Sequence, residues 1–126
     1  EEELGTEGFT ARSVPYGEVD DYYRAADVFA LGSVREGFGR VYMESLLHGL
    51  PTIAHNGPVM EYVLGEEGVL ADLREDGSLS DALHRTLQKT QNRESMKHRR
   101  EYVRRQFGWS SLSSDYLDMF RYCINH

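Results

Sequence analysis

Two short apolar runs, "VFALGS" from Val28 to Ser33 and "PTIAH" from Pro51 to His55, lack polar alternation and flank a stretch with helical spacing. A run without alternation reads as a strand of a parallel sheet buried on both faces, because there the side chains on either side meet apolar cover. Parallel strands need a crossover, and Phe38 to His48 reads as the helix that supplies it, stopped by Gly49. The alternation continues in both directions. "FTARSVPY" (Phe9 to Tyr16) reads as a strand ending at Pro15 and Gly17, and Val19, Tyr22, Tyr23 and Ala26 mark one helix face. "VMEYVL" reads as a short helix and "GVLADL" as a last strand or extended edge. Past Asp72 the pattern is all helix: Leu79, Ala82, Leu83 and Leu87 line one, Met96, Val103 and Phe107 a second, and Leu112, Tyr116, Met119, Phe120 and Cys123 a third. The fold class expected is therefore α/β, a doubly wound parallel sheet with a helical C-terminal tail.

Composition narrows the function. A formal charge of −7 over 126 residues argues against a nucleic-acid binder, which needs a surplus of Lys and Arg facing phosphates. The single Cys123 excludes an internal disulfide framework, and the five histidines fall at no metal-ligand spacing, so neither metal nor cofactor is expected. No apolar run approaches the roughly 20 residues of a membrane-spanning helix. The chain starts at Glu1, and "EEELGTEG" has four acids in its first seven positions, so residues 1–8 read as a frayed acidic lead-in. Residues 9–126 are expected to be an incomplete domain of a longer polypeptide.

The richest stretch is "LGSVREGFGRVY". In open parallel sheets, ligands bind beyond the carboxyl ends of strands, where a loop enters a helix and unpaired amides meet the positive end of its dipole. Gly37 and Gly39 let the backbone approach an anion, and the amides of roughly Gly39 to Val41 point at it. From the glycines alone, a turn that merely changes direction explains the stretch as well. A dinucleotide fingerprint fails, because Tyr42 stands where the third glycine of G-x-G-x-x-G belongs. Glu36 precedes the helix and Glu44 lies two turns into it, about 10 Å away along the backbone. A nucleotide diphosphate sugar matches that layout, its diphosphate on the amides and its sugar and ribose diols on the two carboxylates. The competing reading of Glu44 is a solvated i, i+4 pair with Arg40.

"EGFGRVYMESLLHGLPTIA" resembles the E-x7-E motif of the retaining glycosyltransferases of family 4, which have two facing Rossmann-like domains. "VPYGEVDDYYRAADVFALGS" is similar to the strand-helix-strand before that motif, "GLPTIAHNGPVMEYVLGEEGVLADL" to its continuation, and "FGWSSLSSDYLDMF" to the closing helix. The resemblance implies the C-terminal, nucleotide-sugar-binding domain. Glu36, the catalytic candidate, contacts the transferred sugar, the backbone of Gly37, Phe38, Gly39, Arg40 and Val41 the sugar and diphosphate, Glu44 the ribose, and the Arg12–Ser13 strand end the base. Arg40 departs from the small apolar residue common in the family and either touches phosphate or faces water. The family's upstream Arg and Lys, which clamp the diphosphate, have no counterpart before Phe9. The acceptor, a sugar or a lipid-linked molecule, belongs to the missing N-terminal domain, so these residues alone are expected to transfer nothing. The implied location is the cytoplasm, either free or at the inner face of a membrane. The alternative function is a non-catalytic nucleotide-sugar-binding or structural domain.

Four further residues or stretches have plainer expectations. "KHRREYVRR" (Lys97 to Arg105) reads as a solvated helix face more than as a membrane-attracting patch, since Glu94 and Glu101 interrupt it. His55 follows a buried strand, where it either looks into the cleft or is held by structural hydrogen bonds. Glu61 is expected to brace the loop after Pro58, and Trp109 to sit in the core.

Overall fold

The computed structural model describes residue 8 and residues 10–89 and 91–125. Strands β1 (Phe29–Ala30), β2 (Thr52–His55) and β3 (Gly68–Ala71) pair in parallel in the order β1-β2-β3. Helices α1 (Val19–Ala25), α2 (Arg40–Leu47) and α3 (Pro58–Leu64) precede and connect them, and α4 (Ser78–Leu87), α5 (Arg93–Phe107) and α6 (Trp109–Asn125) follow. The α/β class, the parallel sheet and the helical tail agree with the sequence reading.

β2 is the centre because it has a partner on each side. Its Thr52, Ile53 and Ala54 are buried, and Phe29 of β1 lies opposite Thr52 while Ala54 lies opposite Leu70 of β3. Against the sheet packs a cluster of Tyr42, Leu46, Met60, Val63, Leu64 and Val103, contributed by α2, α3 and α5. Burial of a side chain such as Leu46 contributes about 1.5–3 kcal/mol. The one polar seam between α2 and β2 is satisfied: the hydroxyls of Ser45 and Thr52 pair at 2.7 Å, and Ser45 also donates to the Tyr42 carbonyl at 2.8 Å.

The packing corrects several expectations. Residues 10–15 form no strand, and Phe9 and residues 1–7 of the acidic lead-in lie outside the described residues. The strand expected at Val28 to Ser33 contracts to Phe29–Ala30 and is half-buried, because only β2 flanks it. Of the expected α1 face only Tyr23 is buried. Trp109 is 71% exposed, tilted against Tyr116 at 5.7 Å, since α6 rides on the surface and buries none of its residues fully. The Glu61 side chain is exposed and makes no bracing bond among the described residues; its backbone amide bonds the Gly57 carbonyl.

The basic stripe is not simply solvated. Arg99 and Arg100 are half-buried, and their guanidinium groups donate to the carbonyls of Gly49 and His48 at 2.9 and 3.1 Å. Those carbonyls follow the last turn of α2 and find no amide donor within the helix, so α5 closes the helix that carries the motif.

Candidate functional site

The chain leaves β1 through residues 31–39 and enters α2 at a left-handed Gly39, with φ 71° and ψ 60°. That turn delays the helix to Arg40, two residues later than the spacing suggested. An added Cβ on Gly39 would meet the Tyr42 ring at 2.5 Å, so both the torsion and the packing require glycine. Tyr42 donates its amide to the Gly39 carbonyl at 3.0 Å, while the first-turn amides of Arg40 and Val41 have no acceptor within the helix.

Two cavities open at this crossing. The first, of about 320 Å³, lies between the loop after β1 and the loop after β2, and Glu36, Gly37, His55 and Met60 are among its lining residues. Its place beyond the carboxyl ends of two parallel strands is where ligands enter open α/β sheets. The second, of about 580 Å³, is bounded by Tyr16, Val19 and Tyr23 on one side and by Gly39, Arg40, Val41 and Glu44 on the other. Glu36 borders both. The two acids of the motif thus share the second cavity with the helix terminus between them.

Glu44 is half-buried and is held by α1. The Tyr23 hydroxyl donates to its Oε2 at 3.3 Å, and burial, followed by the Glu44 charge, pushes the Tyr23 pKa up to about 12. The Tyr23 ring stacks on His48 with centroids 4.9 Å apart, and His48 donates from Nδ1 to the Glu44 carbonyl at 2.9 Å. Among the described residues, no ion pair joins Arg40 to Glu44, and Arg40 is exposed. The solvated-pair reading of Glu44 is therefore replaced by a tyrosine contact from another helix.

Beneath the glycine turn, Tyr42 is fully buried and its hydroxyl has no partner among the described residues. Burial first, and then the Glu36 charge, raise its pKa. Phe38 is 43% exposed and sets its ring edge-on to Phe107 of α5 at 5.9 Å. His55 accepts the Leu73 amide on Nδ1 at 3.1 Å, with an Asp72 carboxylate oxygen 3.6 Å from the same nitrogen. Hydrogen bonds from Arg74 hold Asp72 well below the usual carboxylate range. His55 therefore satisfies both of its expectations, being structurally bonded and lining the first cavity.

Glu36, Gly39, Arg40, Val41 and Glu44 line one cavity, and Gly37 lines the adjoining one. Arg12 stands apart, its guanidinium 5.2 Å over the Tyr22 ring in a shallow depression with Glu18 and Asp21, and Ser13 is exposed in the same unpaired segment. Tyr16 and Tyr23 were not legible as site residues, because no spacing ties them to a glutamate 21 or more positions later. Among the described residues, no group of three or more His, Cys, Asp or Glu side chains gathers as a metal site, and no helix is long and apolar enough to cross a membrane.

The family model described as glycosyl transferases group 1 matches residues 1–105. The D-inositol 3-phosphate glycosyltransferase of Paenarthrobacter aurescens is 28% identical over 110 residues, covering 86% of this chain and 27% of the relative. The O-antigen chain mannosyltransferase B of Escherichia coli is 27% identical, covering 86% and 28%. The D-inositol 3-phosphate glycosyltransferase of Saccharomonospora viridis is 32% identical over 124 residues, covering 94% and 28%. The chain spans about a quarter of the length of these relatives. A family model that runs over 105 of the 126 residues, including the whole glycine turn and both acids, makes this chain a member of the group 1 glycosyl transferases.

Proposed function

We propose that the chain is the donor-binding half of a retaining glycosyltransferase, holding a nucleotide diphosphate sugar for transfer to an acceptor bound by another domain. The observation that carries this reading is the position of Glu36 between the two cavities, with the free first-turn amides of α2 and Glu44 in the second. The glycosyl group occupies the first cavity, and its hydroxyls donate to Glu36. The diphosphate lies on the backbone from Gly37 to Val41, where the helix dipole favours negative charge. The ribose reaches Glu44, whose geometry Tyr23 fixes in advance. Arg40, exposed at the rim and without an acidic partner among the described residues, is available to the phosphates. Arg12 and Ser13 are assigned to the base only if the unpaired segment folds over the second cavity.

As the glycosyl bond breaks, negative charge grows on the leaving diphosphate and positive charge on the anomeric carbon. The α2 amides stabilise the first and Glu36 the second. In this reading the acceptor is a sugar or a lipid-linked molecule, the work is done in the cytoplasm, and the 126 residues alone transfer no sugar. A non-catalytic nucleotide-sugar-binding domain shares all of these contacts and differs only in turnover.

Substitution separates the roles, in a polypeptide that also carries the basic clamp. Glu44→Ala is expected to weaken nucleoside diphosphate binding by about 1.5–3 kcal/mol, the worth of hydrogen bonds to a charged group. Glu36→Gln is expected to lower kcat and leave nucleoside diphosphate affinity nearly unchanged. Equal calorimetric affinities of the parent and Glu44→Ala remove Glu44 from the site. Undiminished turnover in Glu36→Gln removes Glu36 from the chemistry.

A further inference from the structure

His55 ends β2, and one edge of its ring is pinned. The Leu73 amide donates to Nδ1 at 3.1 Å. An amide N–H only donates, so Nδ1 presents its lone pair, and the neutral ring carries its proton on Nε2. Nε2 has no partner among the described residues, yet it is not sealed from solvent. The side chain is 12% exposed, and His55 lines the first cavity.

Among its lining residues the cavity therefore has an imidazole with a fixed N–H donor, from His55, beside a carboxylate acceptor, from Glu36. That pair suits a neutral polyol, because a hydroxyl both donates and accepts. Val34, Pro58, Val59 and Met60 add apolar surface, which suits the C–H face of a sugar ring, and Ser33, Arg35 and Gly57 also line the cavity.

We propose that His55 reads the donor sugar: its Nε2–H donates to a hydroxyl oxygen of the glycosyl group in the cavity it shares with Glu36. This rests on the nucleotide-sugar reading above and makes His55 a specificity-determining residue of that site. The Leu73 amide acts through it, by fixing the tautomer.

The test is an NMR titration, in a polypeptide that also carries the basic clamp, with UDP, GDP, UDP-glucose and GDP-mannose, a method that reads affinities down to millimolar. His55→Asn keeps an oxygen for the Leu73 amide and loses the distal donor. His55→Gln places an amide N–H near the Nε2 position and leaves Leu73 without its acceptor. Amide spectra establish that both variants fold. In the parent, one sugar conjugate is expected to bind about three- to tenfold more tightly than its own nucleoside diphosphate, the worth of one hydrogen bond. His55→Asn is expected to abolish that margin and His55→Gln to keep it. A margin that survives in His55→Asn, or is lost in His55→Gln, overturns the proposal, the second being the pattern of a purely structural histidine. Nucleoside diphosphate binding with no margin in the parent overturns it while sparing the nucleotide-sugar reading. Binding of none of the four overturns both.

Discussion

Tyr23 donates its hydroxyl to Glu44 across 3.3 Å and a separation of 21 residues, so the acid of α2 is oriented by the helix that precedes β1. Losing that bond in Tyr23→Phe is expected to cost about 1 kcal/mol in urea unfolding. The pH dependence has a definite sign. The folded pKa of Tyr23 is raised to about 12 from 10, so its stabilising contribution is complete below pH 10 and declines as pH rises towards 12. The parent is thus expected to lose stability more steeply than Tyr23→Phe over that interval. Parallel alkaline limbs for the two proteins contradict the contact.

Tyr42 poses the opposite case. Its ring is fully buried and its hydroxyl unpartnered, so the polar atom contributes a desolvation cost and no bond. Tyr42→Phe is expected to leave the urea midpoint unchanged or raise stability by up to about 1 kcal/mol. A loss larger than that reveals a partner for the hydroxyl.

The two glycines of the turn are expected to separate stability from binding. Gly39→Ala combines a left-handed residue with a Cβ 2.5 Å from the Tyr42 ring, and is expected to destabilise by on the order of 2–4 kcal/mol. Gly37 has open space around its would-be Cβ and no positive φ, so Gly37→Ala is expected to change stability by less than about 0.5 kcal/mol. On the proposed function, Gly37→Ala nevertheless weakens nucleoside diphosphate binding, because the added methyl stands where the ligand approaches. Thermal melts beside titrations of both variants check this pair.

At the far end of α2, the guanidinium of Arg99 reaches the Gly49 carbonyl at 2.9 Å from a half-buried position. Burial lowers the Arg99 pKa without threatening its charge, so the bond is charge-assisted at every ordinary pH. Arg99→Met keeps most of the apolar stem and is expected to cost about 1.5–3 kcal/mol by chemical denaturation. An unchanged midpoint contradicts the closing role.

The sequence made the sheet legible where packing follows periodicity and failed where it depends on neighbours. "PTIAH" is buried as its unbroken apolar run implied, because β2 is flanked on both sides. "VFALGS" has the same pattern and yields only a two-residue, half-buried strand, since nothing in a run says that it will lie at an edge. The three C-terminal helices were found from their spacing, but Trp109 shows that an apolar stripe does not say what covers it. For the candidate site, Glu36, the glycine turn and Glu44 are local and could be read from one stretch. Tyr23 and Tyr16 reach it through tertiary contacts, which leave no mark in the spacing, whereas His55 could be placed near it by its position after a buried strand.

The bonds from Arg99 and Arg100 to the carbonyls of Gly49 and His48 span 50 and 52 positions. They have a consequence for the order of events during synthesis. The glycine turn and its acids are complete once the chain has passed Glu44, yet the residues that close the helix behind them are translated on the order of 3–10 seconds later, at ordinary ribosomal speed. During that interval the nascent chain carries a recognition loop without its rear anchor, and any ligand affinity must await the arrival of α5.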